Sequence, residues 1–161
     1  MPPPLAAPVA DHEAGDVQEV QEGKQGEAMR EIKFRAKIKD GNEWMYGGGI
    51  QIIGPDTLML SEDGGHGIVH LVQRDTVGQF TGLLDRNGKE IYEGDIIKYH
   101  YFYFADGSEI EKECVCSVKW DDTFANFDAM DKDGFAHFLG QASDDGIEVI
   151  GNIYEHPELL K

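Results

Sequence analysis

Hydrophobic and polar residues alternate along much of the chain. Between Glu31 and Lys39 every second residue is apolar, and the residues between them are charged. A period of two places the two sets on opposite faces of a β-strand, so this stretch predicts a half-buried strand. The pair Asp40 and Gly41 follows it and favours a hairpin turn. The charged set that we expect in solvent is Glu31, Lys33, Arg35, Lys37 and Lys39.

Further short apolar runs occur at even spacing, separated by clusters of glycine, proline and aspartate. The candidate strands are residues 50–53, 57–60, 67–72, 77–80, 96–104, 109–120 and 147–154. Such spacing predicts a β meander. Short helical turns are predicted at 134–140 and at 157–160, where Pro157 suits the first turn of a helix. We therefore expect a mainly β fold, or at most an α+β fold with a few short helical turns.

The first 28 residues differ in composition from the rest. They contain four of the six prolines and no aromatic residue, and they are otherwise rich in glycine, glutamine and acidic residues. Such a segment cannot bury enough apolar surface to offset its ordering entropy. We predict a disordered leader over 1–28 and one β domain over 29–161, with 29–80 and 81–161 as candidate sub-units.

The chain of 161 residues is strongly acidic, with 31 Asp and Glu against 14 Lys and Arg and a formal charge of −17. About −5 of this charge lies in the leader, so the predicted domain itself is acidic. Affinity for a phosphate backbone comes from lysine and arginine, which argues against a direct partner that is nucleic acid or an anionic membrane. No apolar stretch approaches the length of a membrane span, so we expect a cytoplasmic protein.

Two cysteines and four of the six histidines are the candidate soft metal ligands. Cys114 and Cys116 have one residue between them, whereas structural zinc sites usually place two to four residues between paired cysteines. On a strand they share a face with Ile110 and Val118, as core residues would. Trp120 lies on the same face of this strand. The histidines considered as metal ligands are His66, His70, His100 and His137. We predict no metal site and no cofactor.

Other sequence motifs of catalysis or ion binding fail on inspection. The segment 131–134 resembles part of a calcium loop, but Ala129 and Gly140 stand where that loop needs acidic ligands. An acidic turn is the better interpretation. The chain has no nucleophile elbow, phosphate loop or metalloprotease motif, and we predict that it is not an enzyme and has no catalytic residue.

Two surface features remain as candidate partner-binding sites. One strand carries tyrosines on one face and His100, Phe102 and Phe104 on the other, so it is either central in a sheet or meets a partner. The next strand carries a ladder of glutamates, for which plain solubility is the alternative interpretation. The candidate partner-binding residues are Tyr99, Tyr101, Tyr103, Glu109, Glu111, Glu113, Asp121 and Asp122.

Three segments carry a family resemblance. They are TGLLDRNGKEIYEGDII at 81–97, MREIKFRA at 29–36 and IEVIGNIYEHPELL at 147–160. In this order they closely resemble the YopX family of phage and prophage proteins. The resemblance implies a mostly β fold with a small SH3-like, barrel-type C-terminal unit, carriage on mobile genetic elements and no established activity. Gly94 and Asp95 then look like the entry to a barrel strand, a structural rather than a binding role.

We therefore expect a non-enzymatic, phage-encoded binding protein. Its partner would be a host or defence protein that it inhibits or modulates through the acidic surface, with nucleic-acid mimicry as one form of this activity. Two alternatives stay open. One is a self-assembling structural or accessory phage protein whose homo-oligomer contact is the tyrosine face of residues 99–103. The other is a sponge for a small molecule or nucleotide.

Overall fold

The computed structural model describes residues 30–61, 67–142 and 146–161. These residues form eleven strands and three short 3-10 turns, so the prediction of a mainly β fold is confirmed. The predicted leader and His66 lie outside the described residues. The strands are β1 (Phe34–Lys37), β2 (Trp44–Ile53), β3 (Asp56–Ser61), β4 (Val69–Val72), β5 (Gly78–Leu84), β6 (Glu90–Tyr92), β7 (Asp95–Ala105), β8 (Ser108–Asp121), β9 (Asn126–Asp131), β10 (Ala136–Phe138) and β11 (Ile147–Asn152). The 3-10 turns are Arg74–Thr76, Leu139–Gln141 and Pro157–Leu160.

The strands form two antiparallel sheets. The first has the order β4-β3-β2-β1-β5-β6, and the second has the order β10-β9-β8-β7-β11. A flat sheet would hold β7 and β10 about 14 Å apart, three strand spacings. Instead the Tyr99 hydroxyl of β7 donates a hydrogen bond to the Phe138 carbonyl of β10 at 2.8 Å. The second sheet is therefore strongly curved, yet its described strands close no barrel, in contrast to the barrel-type unit that the resemblance implied.

Strand β1 corrects the prediction of a half-buried strand. Arg35 and Lys37 are 5% and 6% exposed, although the alternation assigned them to solvent. The Arg35 guanidinium forms an ion pair with Asp95 of β7 at 2.6 Å and lies over the rings of Trp44 and Tyr92. The second sheet covers this face of the first, and the charges are tolerated because they are paired there.

The entry to β7 confirms a structural role for Gly94 and Asp95. Gly94 has a φ of +83°, and a Cβ at this position would come within 3.0 Å of the Tyr154 ring. The Asp95 carboxylate accepts a hydrogen bond from the Tyr92 amide at 2.8 Å as well as the Arg35 ion pair. The two residues thus fix both the turn and the junction between the sheets.

Two apolar clusters fill the interior. One lies on the first sheet around Met59 and Ala36, and the other lies in the hollow of the second sheet around Ile97 and Val118. The short helix predicted over 134–140 is wrong, because that stretch forms β10 and the start of a 3-10 turn. The closing turn at Pro157–Leu160 is confirmed as a 3-10 turn with proline in its first turn. Within the described residues, no helix has the length and apolar character needed to cross a membrane.

Candidate functional site

The β7–β8 hairpin carries most of the candidate residues, and its two faces differ in chemistry. Its turn is Asp106 and Gly107, with φ values of +52° and +79°, a conformation typical of two-residue hairpin turns. The strands pair without a register shift from Ile96 opposite Ser117 to Ala105 opposite Ser108. One set of alternate residues therefore faces the hollow of the curved sheet, and the other faces away from it. We call these the concave face and the convex face of the hairpin.

The concave face holds the three tyrosines singled out from the sequence. Tyr99 is 2% exposed and belongs to the apolar core, while Tyr101 and Tyr103 are half-buried. Burial raises the pKa of the Tyr99 hydroxyl to about 12. The Lys112 ammonium lies 5.2 Å from the centre of the Tyr103 ring. Tyr99 is thus a core residue, and Tyr101 and Tyr103 contact neighbouring side chains of the same face.

Next to the tyrosines lies a cluster of two thiols and an imidazole. Cys114 pairs with Tyr99 across the hairpin, and Cys116 is fully buried, as predicted for core cysteines. On the far side of β9, His137 of β10 pairs with Ala129, whose side chain is one methyl group. The ring can therefore approach the thiols across β9. The ligand atoms of Cys114, Cys116 and His137 all lie within 4.8 Å of one another, and we call these residues the Cys–His cluster.

A carboxylate fixes the imidazole of this cluster. One oxygen of Asp131 lies 3.2 Å from Nε2 of His137, and the other accepts hydrogen bonds from the Asp133 and Phe135 amides. Burial alone would raise the pKa of Asp131, but the Phe135 amide, the His137 ring and the Asp133 amide hold it below the ordinary value. The predicted acidic turn at 131–134 is present, and its first residue also orients a histidine.

The environment of the thiols favours their protonated form. Burial raises the pKa of Cys116, and the adjacent Cys114 adds to the effect. Burial also raises the pKa of Cys114, with contributions from the charges of Asp131 and Glu113. A cation between the sulfur atoms would favour the deprotonated form of the thiols.

The convex face combines exposed aromatic rings with carboxylates. Phe102 and Phe104 are 51% and 78% exposed, and they lie opposite Glu111 and Glu109 respectively on β8. His100 lies between two of the glutamates, with Nε2 at 3.0 Å from Glu113 and Nδ1 at 3.5 Å from Glu111. The glutamate ladder predicted from the alternation is therefore one surface, and it is interleaved with apolar rings.

One edge of β7 has no partner strand within the described residues after Tyr99, which pairs with Ile147 at the start of β11. The last hydrogen bond on that side runs from the His100 amide to the Gly146 carbonyl at 2.8 Å. Backbone groups alternate in direction along a strand, so those of Phe102 and Phe104 point to the same unpaired side. A groove of about 430 Å³, lined by residues 99–102 and 136–138, runs between this edge and β10.

The predicted partner-binding residues do not form one surface. The tyrosines occupy the concave face, and the glutamates occupy the convex face. Asp121 ends β8, where its carboxylate accepts a hydrogen bond from the Thr123 amide, and Asp122 is exposed in the following turn. About 26 Å of strand separates Asp121 from Glu113, and Ser117 between them is 4% exposed. The aspartates and the ladder are therefore separate patches.

Sequence reasoning missed two features of the hairpin. His137 was considered as a ligand together with the cysteines, but that metal site was set aside on the spacing of Cys114 and Cys116, and Asp131 was not connected with it because residues 134–140 were predicted to be helical. Phe102 and Phe104 were assigned to a face but not to a site. Their alternation with the tyrosines was the available signal for an exposed aromatic face.

The sequence matches the profile of the family described as YopX protein over residues 33–161. The chain belongs to the YopX family. The crystal structure of protein EF1440 from Enterococcus faecalis is a similar solved structure, at 25% identity with a TM-score of 0.44. That similarity covers 81% of this chain and 98% of EF1440. No curated protein matches the chain.

The segment at 81–97 through which the chain resembles other YopX proteins contains the second half of β5, β6 and the entry to β7. Within it, Asp85 accepts hydrogen bonds from the Asn87 and Lys89 amides and from the Val149 amide of β11. Asp95 binds Arg35, as described above. These acidic residues of the YopX segment connect strands, and the Cys–His cluster and the convex face lie outside it.

Proposed function

We propose that this YopX protein is a non-enzymatic binding protein that takes up an extended, basic segment of a partner protein along the unpaired edge of β7. The observation that carries the proposal is the coincidence of three features on one hairpin. Beyond the hydrogen bond from His100 to Gly146, the edge has no partner strand among residues 30–61, 67–142 and 146–161. The rings of Phe102 and Phe104 are exposed beside it, and the glutamate ladder lies one strand away.

The edge supports binding by strand addition. An extended segment beside β7 would exchange backbone hydrogen bonds with Phe102 and Phe104, and its alternate side chains would contact the exposed rings. An unprotected edge with apolar side chains is otherwise a site of aggregation, which proteins usually cover or charge.

The charge supports a basic partner. Glu109, Glu111 and Glu113 recur about every 7 Å on the convex face, and no lysine or arginine of the described residues pairs with them in an ion pair. Such a patch attracts a basic surface and increases its association rate, an effect that salt weakens because the Debye length is about 8 Å at physiological ionic strength. The resemblance implies carriage by phages, so we take the partner to be a host or defence protein with an exposed basic segment, including one that normally binds nucleic acid.

A defined peptide tests this proposal. A labelled eight-residue peptide of alternating valine and lysine should bind in fluorescence anisotropy, and a valine–glutamate peptide should not. Phe104→Pro should weaken binding about tenfold or more, because proline removes an edge amide that has no pairing partner among the described residues. Phe104→Leu is the matched control, since it keeps that amide and an apolar side chain. Equal binding of the two peptides, or wild-type affinity in Phe104→Pro, would refute the proposal.

The glutamates are tested separately. Replacing Glu109, Glu111 and Glu113 together by glutamine should slow association with the lysine peptide and flatten its dependence on salt. Binding by this variant at the wild-type rate and salt dependence would show that the ladder serves solubility alone.

The same edge supports a second candidate, self-assembly. Two copies could pair their β7 edges in antiparallel register and form one continuous sheet about a two-fold axis. Native mass spectrometry would then show a dimer that Phe104→Pro converts to a monomer. A wild-type monomer at micromolar concentration would remove this candidate and leave the first.

A further inference from the structure

We propose that Cys114, Cys116 and His137 form a binding site for Zn²⁺, with Asp131 as the residue that positions the histidine ring. This site is independent of the β7 edge, since it uses the concave face of the hairpin.

The distances suit a single ion after a small adjustment. The two Sγ atoms are 3.0 Å apart, and the three ligand atoms lie within 4.8 Å of one another. Two thiolates bound to one tetrahedral Zn²⁺ at about 2.3 Å each have their sulfur atoms about 3.8 Å apart. The sulfur atoms would therefore separate by less than about 1 Å. A rotation about χ1 of Cys114, which is only half-buried, is enough for this change.

The ligand types favour Zn²⁺ over hard divalent cations. Two thiolates and an imidazole suit Zn²⁺, whereas Mg²⁺ and Ca²⁺ require oxygen ligands. Binding releases one proton from each thiol to solvent, so Zn²⁺ with two thiolates and a neutral imidazole has no net charge. Three protein ligands leave a fourth position, which water or an added ligand can take.

The contact between the Asp131 carboxylate and the His137 ring supports an ordered site. Asp131 binds Nε2 of His137, which leaves Nδ1 as the nitrogen for the metal. A carboxylate on the far nitrogen of a metal-binding histidine fixes the tautomer and the ring orientation. The carboxylate is itself held, because its other oxygen accepts the Asp133 and Phe135 amides.

An ion can reach the cluster from solvent. Cys114 and Asp131 line a cavity of about 340 Å³ that also borders the C-terminal turn, and His137 lines the groove of about 430 Å³ beside β7. The cluster thus lies at the edge of the core, between two openings.

Metal titration of the untagged full chain, kept reduced and freed of metal, tests the site. One equivalent of Zn²⁺ should bind and raise the Tm by roughly 5–10 °C at a hundredfold excess over Kd. Co²⁺ as a probe should give a thiolate-to-cobalt charge-transfer band together with the visible bands of tetrahedral geometry.

The variants separate this site from surface binding. Cys114→Ser and His137→Gln should each lower Zn²⁺ affinity by about a hundredfold or more, and Asp131→Asn, which can keep the turn through its remaining oxygen, should lower it by about 10–100-fold. His100→Gln is the matched control, because it removes a histidine that also contacts carboxylates, and it should leave the affinity unchanged.

Three results would overturn the proposal. They are the absence of a charge-transfer band in folded wild-type protein, wild-type affinity in the Cys114→Ser/Cys116→Ser double variant, and equal losses in His100→Gln and His137→Gln. If the double variant fails to fold, Cys114→Ser and the wild-type cobalt spectrum decide the matter, since Cys114 is only half-buried.

Discussion

Charged residues occupy two contrasting settings in this protein, the junction between the sheets and the convex face of the hairpin. At the junction, the side chains of Arg35 and Asp95 are 6% and 1% exposed and bind each other directly. On the convex face, the side chains of Glu111 and Glu113 are 61% and 46% exposed, and their described ion-pair partner is His100. The net charge of −17 is a sum over the whole chain, and it does not show which charged side chains are buried in ion pairs and which are exposed. Charge at the junction is buried and paired, whereas charge on the convex face is exposed to solvent.

The largest expected effect comes from breaking the junction. Asp95→Asn should lower the free energy of unfolding by about 3–5 kcal/mol, because it leaves the Arg35 guanidinium buried without a counter-charge. Glu111→Gln makes the same chemical change on the convex face and should alter it by no more than about 0.5 kcal/mol. Urea unfolding of both variants measures the difference. Similar losses in the two variants would contradict the contrast.

A smaller effect is expected from acid. Hydrogen bonding from Asn152, together with the Lys37 ammonium, lowers the pKa of Glu155 from 4.5 to about 2. A carboxyl group with a lowered folded-state pKa stabilises the protein above its unfolded pKa, and this contribution is lost as the pH falls through the folded value. Wild type should therefore lose stability from pH 4.5 down to 2 more steeply than Glu155→Gln. Thermal unfolding across that range tests this prediction, with Glu109→Gln as the control for net charge. Parallel curves for wild type and Glu155→Gln would show that the contacts of Glu155 with Asn152 and Lys37 do not stabilise the fold.

The smallest effect is expected on the convex face. A double-mutant cycle of His100→Gln and Glu113→Gln at about pH 5 should give a coupling energy below about 1 kcal/mol, as for other exposed pairs. About 1 M salt, where the Debye length is about 3 Å, should remove it. A coupling that persists in high salt would place this pair with the junction rather than with the surface.

Local patterns predicted most strands, and long-range contacts account for the failures. The alternation in β7 and β8 correctly separated Tyr99 from Phe102 and the thiols from the glutamates, because the pleat depends only on neighbouring residues. Strand β9 was missed, since it mixes acidic residues with Ala129 and has no β-branched residue. Arg35 is buried because it forms an ion pair with Asp95 of the second sheet. Asp95 is sixty residues further along the chain, so no local pattern around Arg35 could indicate this burial.

The Cys–His cluster was beyond sequence reasoning for a related reason. Its thiols lie on β8 and its imidazole on β10, and they approach only because the sheet curves and Ala129 between them is small. Neither the strand order nor the curvature has a local signature. The spacing rule for paired cysteines also assumes a tight turn, whereas two cysteines on one strand face need only one residue between them.

The hairpin turn at Asp106 and Gly107 has a consequence for both surfaces. Glu113 and Cys114 are neighbours in the chain but belong to opposite faces, so a slip of one residue between β7 and β8 would bring the thiols into solvent and the glutamates into the core. Turn length and type set the register of a hairpin. Asp106 and Gly107 therefore determine which side chains share each face of the hairpin, although neither residue lies on those faces.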